Sequence, residues 1–166
     1  MKKLVLSLGS VAAALSFSIG VGVASATSTS PSAAAKVSVA STGLGRILVD
    51  GHGHTLYLFA RDKHGKSTCS SACAAFWPPL IAAGKPLAGP GVKSTLLGTT
   101  RRADGRLQVI YNRHPLYTFA KDARKGDTKG EGLDVFGAEW YALSAAGAKV
   151  ENDNAAPAGY GYGSGY

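Results

Sequence analysis

The feature that most constrains this 166-residue chain is that it contains one segment twice. With a shift of 60 residues, Gly45 to Asp62 lies on Gly105 to Asp122, and nine of those eighteen positions are identical. The matches include Arg46 with Arg106, His54 with His114, Tyr57 with Tyr117, Phe59 with Phe119 and Asp62 with Asp122. Further along the shift becomes 63, so that Trp77 falls on Trp140 and Ala83-Gly84 on Ala146-Gly147, as a three-residue insertion between the blocks requires. Similarity kept through both blocks marks one structural unit used twice.

Each copy reads as strands. Val37 to Thr42, Arg46 to Asp50 and Thr55 to Arg61 are runs rich in β-branched, aliphatic or aromatic residues, separated by Gly43-Leu44-Gly45 and by the turn Asp50-Gly51-His52-Gly53. Leu96 to Arg102, Leu107 to Asn112 and Leu116 to Lys121 repeat them, with a hairpin expected at Asp104-Gly105. Glu139 to Ser144 reads as a last strand, whose first-copy counterpart holds Pro78-Pro79. Proline removes ladder donors, which confines that segment to an edge or an extended connection. The expected fold is all-β: two pseudo-symmetric antiparallel meanders of three to four strands, packed as a small sandwich or barrel because neither half buries enough apolar surface alone.

The ends stand apart from this core. Met1-Lys2-Lys3, the uncharged run Leu4 to Val23 and the small-residue site Ala24-Ser25-Ala26 predict a signal peptide over residues 1–26, cleaved before Thr27. The competing reading is an uncleaved anchor, since the apolar run is just long enough to cross a bilayer. A linker over residues 27–36, a single domain over 37–150 with repeats at about 37–84 and 96–147, and a Gly/Tyr-rich tail at 151–166 complete the expected organisation. No later apolar run is long enough to span a membrane, so a secreted product is expected: extracellular, periplasmic or cell-wall associated. Without Lys2 and Lys3, 16 basic residues face 10 acidic ones, a formal charge of +6. That sign suits anionic surroundings such as a cell-wall polymer. The basic residues are scattered, with no stripe of the kind that reads nucleic acid.

Tyr57-Leu58-Phe59-Ala60-Arg61-Asp62 and Tyr117-Thr118-Phe119-Ala120-Lys121-Asp122 both fit a Tyr-x-aromatic-x-x-Asp pattern. It resembles the bacterial secreted-repeat family, whose members are often described as lipoproteins with that motif. Cys69-Ser70-Ser71-Ala72-Cys73-Ala74 followed by Trp77-Pro78-Pro79-Leu80, and Gly126-Asp127-Thr128 through Gly130-Glu131-Gly132 to Trp140, strengthen the likeness over Val37 to Gly147. The resemblance implies an envelope or extracellular location and a domain with no established activity. This chain departs from the lipoprotein members in having no cysteine at the expected cleavage site.

Candidate residues follow from chemistry. Residues two apart share a strand face, so Tyr57 and Phe59 should point opposite to Leu56 and Leu58. With Trp77 and Trp140 these aromatics serve either as core or as a pocket lining. Asp62 and Asp122 are expected to fix turns by accepting backbone N–H bonds two residues on; a catalytic or metal-binding carboxylate pair would need the copies to converge. Cys69 and Cys73, the only cysteines, suit a disulfide in an exported chain, set in a short helical turn or loop. The alternative function is redox or metal handling by Cys69 and Cys73 with the turn histidines, His52 and His54 being the candidate metal ligands. Arg46 and Arg106 are placed either to bind an anion or to stack on aromatics and pair with Asp. No cofactor motif or nucleophile elbow is present. The expected role is non-catalytic, either binding or structural support, with the loops Cys69 to Trp77 and Gly126 to Phe136 facing a partner.

Overall fold

Short apolar and β-branched runs, punctuated by glycines, give short strands, of which Gly45–Asp50 and Tyr57–Phe59 are largely buried. The computed structural model describes residues 34–151. The expected signal peptide, most of the linker and the tail beyond Glu151 lie outside the described residues. Strand β1 (Lys36–Thr42) turns through Gly43-Leu44 into β2 (Gly45–Asp50), with Thr42 opposite Gly45 and Val37 opposite Asp50. β3 (Tyr57–Phe59), helix α1 (Ala72–Phe76) and β4 (Leu87–Ala88) complete the first half. A 3-10 turn over Ser94–Leu96 leads into β5 (Leu97–Arg101), followed by β6 (Leu107–Tyr111), β7 (His114–Pro115), β8 (Asp134–Val135) and β9 (Ala138–Ala142).

These strands form three three-stranded sheets, ordered β2-β1-β4, β3-β9-β8 and β5-β6-β7. The all-β class expected from the sequence is what the chain adopts, with one short helix and no closed barrel among the described residues. Two features were not anticipated. β4 lies parallel to β1, and β3 of the first repeat pairs with β9 of the second, Phe59 standing opposite Trp140. The middle sheet is therefore shared between the copies. The segment expected as a strand at Leu116 to Lys121 is held mostly by single bridges, because its neighbour is the Pro78-Pro79 stretch. There only carbonyls are offered at the prolines: Thr118 N–H donates to Pro78 O at 2.9 Å.

The duplication is expressed as an approximate twofold. Tyr57 and Tyr117 exchange backbone bonds at 2.8 and 3.0 Å. Around them the pairs repeat: Ala60 N–H to Glu139 O and Ala120 N–H to Phe76 O, both at 2.9 Å. Leu143 N–H to Leu56 O likewise has its counterpart in Leu80 N–H to Leu116 O. Each bond joins the central segment of one repeat to the terminal segment of the other, so each copy supplies the edge that the other copy's central segment needs.

Period-two alternation separates two cores. Tyr57, Phe59, Tyr117 and Phe119 enter an aromatic cluster with Trp77, Trp140, Cys69 and Cys73. Leu56, Leu58 and Leu116 face the other way, into an aliphatic cluster with Val37, Leu48, Val109, Tyr111 and Leu143. Each large aromatic hidden this way contributes about 4 to 6 kcal/mol of gross transfer free energy. The space is filled tightly at Gly130, where a Cβ would lie 2.7 Å from Trp77 Cη2 and 2.9 Å from Tyr57 Cζ. Gly130→Ala is accordingly expected to destabilise the fold by about 1–3 kcal/mol. Gly84→Ala, with nothing within 4 Å of its added methyl, should be neutral or slightly stabilising in the same denaturant titration.

Candidate functional site

The repeated motif builds a reciprocal lock. In each copy the strand-end aspartate follows a turn, Asp62 N–H donating to Phe59 O and Asp122 N–H to Phe119 O. The turn aims each carboxylate across the twofold. Tyr57 OH donates to Asp122 Oδ2 at 2.6 Å and Tyr117 OH to Asp62 Oδ2 at 2.6 Å. The second oxygen of each carboxylate gathers the loop that follows: Asp62 Oδ1 accepts from Thr68 N–H and Oγ1–H at 2.7 and 2.8 Å, and Asp122 Oδ1 from Lys129 N–H at 3.0 Å. The bonds two residues on, expected for these aspartates, are replaced by bonds six and seven residues on. The reason is that the main-chain turn already closes itself, leaving the carboxylates to close the larger loop.

Inside this lock the aromatics form a four-ring stack. Phe119, Trp77, Trp140 and Phe59 follow one another with centroids 4.3, 3.9 and 4.2 Å apart, the two indoles within 4° of parallel. Tyr57 meets Trp77 edge-on at 5.3 Å, and Tyr117 meets Trp140 edge-on at 5.1 Å. Such pairs add about 0.5–1.5 kcal/mol each beyond burial. Trp140 Nε1–H donates to Val135 O at 3.3 Å, whereas the buried Trp77 Nε1–H has no protein acceptor among the described residues.

The two copies deliver equivalent tryptophans by different means. In the first, Cys69 and Cys73 form a buried disulfide with Cα atoms 5.3 Å apart, within the usual span. It ties the loop to α1, and Cys73 O accepts the N–H of Trp77 at 2.8 Å. In the second, the β8–β9 hairpin does the work, turning at Phe136-Gly137 with φ of +60° and +86°. A network that sequence reasoning missed braces the first loop: Arg102 donates to Gln108 Oε1 at 2.6 Å, Ser67 Oγ at 2.8 Å and Cys69 O at 2.7 Å. Ser67 Oγ in turn lies 2.8 Å from Tyr117 OH. An arginine beside a polar hairpin gives no sign in the sequence of being buried.

The remaining candidates lie at the surface or its margin. His52 and His54 sit on the turn after β2, ring centroids 6.2 Å apart, their backbone N–H groups donating to Asp50 Oδ1 at 2.8 and 2.9 Å. Among the described residues no group of three or more His, Cys, Asp or Glu is placed to hold a metal ion. Arg106 pairs with Asp104 at 2.8 Å, which depresses that exposed carboxyl to about 2 through hydrogen bonds and charge. Arg46 approaches Gly91 instead. No described helix is long and apolar enough to cross a membrane.

Burial raises the pKa of Asp62 and of Asp122, while the tyrosine and backbone donors act against that rise. Both tyrosine hydroxyls are driven above their ordinary range by desolvation first, then by the facing carboxylate. The hydroxyl of each motif tyrosine and the carboxylate of each motif aspartate thus have internal partners.

A family model described as a secreted repeat of unknown function matches residues 38–81 and 98–144, one match on each copy. The chain belongs to this secreted-repeat family. No curated protein and no solved structure matches it significantly. The family description makes it a secreted repeat, in keeping with an exported module.

Two outcomes check the lock and the buried carboxyl beside it. Tyr57→Phe and Tyr117→Phe each leave a buried carboxylate oxygen short of a donor and should cost about 1.5–3 kcal/mol in equilibrium unfolding. Glu131, whose Oε2 accepts Ala142 N–H at 2.7 Å, is raised by burial from 4.5 to about 7. The folded chain therefore binds this proton more tightly than the unfolded chain. Its contribution to stability is full below about 4.5 and is lost as the pH rises to about 7. Glu131→Gln should flatten that window and add about 1–2 kcal/mol at pH 8, after allowance for solvent screening.

Proposed function

We propose that the protein is a non-catalytic binding module of the cell envelope, acting on an anionic cell-wall polymer. The observation that carries this reading is the opposite orientation of charges in the loop after each motif. The carboxylate turns inward to the other repeat's tyrosine, and the cations turn outward. In the first copy Lys63 and Lys66 are exposed, and Gly65 between them packs against the Arg113 carbonyl of the second. In the second copy Lys121, Arg124 and Lys125 are exposed, and the Lys125 side chain covers Gly53 beside His52 and His54. None of these lysines and arginines is in an ion pair with a described residue; the lysines and arginines that are paired are Arg102, Arg106, Lys129 and Lys149.

Two pseudo-equivalent cationic patches, one after each motif, suit a ligand whose negative charge also repeats. Point charges on flexible lysine stems read charge density more than shape. The disulfide and the aromatic stack serve this reading as scaffold, holding the loops in place without joining a reaction.

Sedimentation of the full chain with insoluble wall material, intact and stripped of its anionic polymers, tests the proposal. Binding to intact walls should fall steeply between low and about 1 M salt, where the screening length shrinks to about 3 Å. Neutralising Lys63, Lys66, Arg124 and Lys125 together by Gln should weaken it about tenfold or more with the unfolding midpoint nearly unchanged. Equal retention on stripped walls would reject the reading.

A further inference from the structure

The loops Cys69 to Trp77 and Gly126 to Phe136 meet at one place, and the place is concave. A shallow cleft of about 260 Å³ lies between them. The buried Phe59 and Cys73, the exposed Arg61 and Phe136, and Thr68, Ser70 and Ser71 line it, the Thr68 hydroxyl being the one already bound to Asp62. Resting on the reading of an anionic envelope ligand, we propose that this cleft binds a single pyranose unit carrying a carboxylate, with Arg61 as its charge partner and Phe136 as its stacking face.

Four independent features converge here. First, the exposed aromatic surface is concentrated at this edge: Phe76 is 47 % and Phe136 is 39 % exposed, with ring centroids 6.0 Å apart. Large phenyl groups left in water at a concave edge mark a contact surface, and the C–H face of a sugar ring is a suitable apolar partner for such a ring. Second, Arg61 forms no ion pair with a described residue; its only hydrogen bond there is a long one, 3.4 Å, to Phe136 O. A guanidinium beside an aromatic matches a carboxylate with two parallel bonds, a geometry lysine cannot supply. Third, the side-chain hydroxyls of Ser70 and Ser71 have no protein partner among the described residues and stand exposed, ready for the ring hydroxyls of a saccharide.

Fourth, the backbone is held in unfavourable conformations at the cleft. Of the five described non-glycine residues with positive φ, Ser71 at +48° and Phe136 at +60° both line it. A two-residue hairpin turn with positive φ at both positions calls for Asn or Asp followed by Gly, and here a bulky aromatic occupies the first position. Stability would favour asparagine at that site, so the aromatic stands there at a structural cost, and strain of this kind clusters at ligand contacts. The cleft lining also reaches the interior, because Phe59 stacks on Trp140 at 4.2 Å and Trp140 on Trp77 at 3.9 Å. These are the only two tryptophans in the chain, so occupancy of the cleft has an optical reporter beneath it.

The test is a titration of the full chain with N-acetylmuramic acid and with N-acetylglucosamine, which share the ring and acetamido group and differ by the lactyl carboxylate. Tryptophan fluorescence and calorimetry should both register the acid, with the neutral sugar at least about tenfold weaker, as loss of one charge-assisted pair predicts. Arg61→Gln should abolish that preference, leaving the two sugars equal. Phe136→Asn should weaken the acid about tenfold while leaving the unfolding midpoint the same or higher, an outcome that a merely structural phenylalanine would not give. Equal affinity for the two sugars, an acid preference that survives Arg61→Gln, or a Phe136→Asn variant that binds normally would overturn the proposal. A concentration-dependent dimer abolished by Phe136→Asn would overturn it in favour of a second copy as the occupant. If neither sugar binds while wall retention stays dependent on charge, the cleft assignment falls and the polymer-binding reading stands.

Discussion

Two hydrogen bonds of 2.6 Å, crossing in opposite directions between Tyr57 and Asp122 and between Tyr117 and Asp62, define this molecule. A buried carboxylate without donors would be costly, and a buried phenol without an acceptor nearly so. Each repeat carries one of both, and each is completed only by the other copy. The same contact that removes this penalty brings the two central segments side by side, sets the indoles face to face and turns the following loops outward.

The copies share the frame and differ in what they hang on it. A disulfide-braced helical turn brings in Trp77, while a tight hairpin brings in Trp140, and the two rings end 3.9 Å apart and nearly parallel. The three-residue change in shift falls between the paired aspartates and the paired tryptophans, where those two local solutions differ. The copies differ in the parts that form the cleft, and identity is kept in the tyrosines and aspartates that form the lock. Such a division is what a duplicated scaffold needs if one face is to become specific.

Much of this was legible in the sequence because it depends on period and identity. The alternation Leu56, Tyr57, Leu58, Phe59 separates the two cores, and the shift of 60 anticipates a twofold with like residues in like places. What was not legible depends on distance in the chain. Nothing local shows that Asp62 would choose Tyr117 over a neighbouring N–H, that β3 would pair with β9, or that Arg102 would be buried against Ser67, Gln108 and Cys69. The loop ending at Phe136 was expected to face a partner, but the turn at Phe136-Gly137 and the exposure of that ring are seen only in the structure.

The crossing of bonds also fixes an order of events. The two locking contacts span 65 and 55 residues, and the shared sheet joins the first copy's β3 to the last strand described. Long-range pairings of this kind form slowly, since the loop must close before any contact rewards it. A chain threaded outward from its amino end would present the first copy's tyrosine, aspartate and tryptophan to solvent well before their counterparts arrive. Until then the emerging half is an open sticky edge, able to take the equivalent segment of a neighbouring molecule in place of its own.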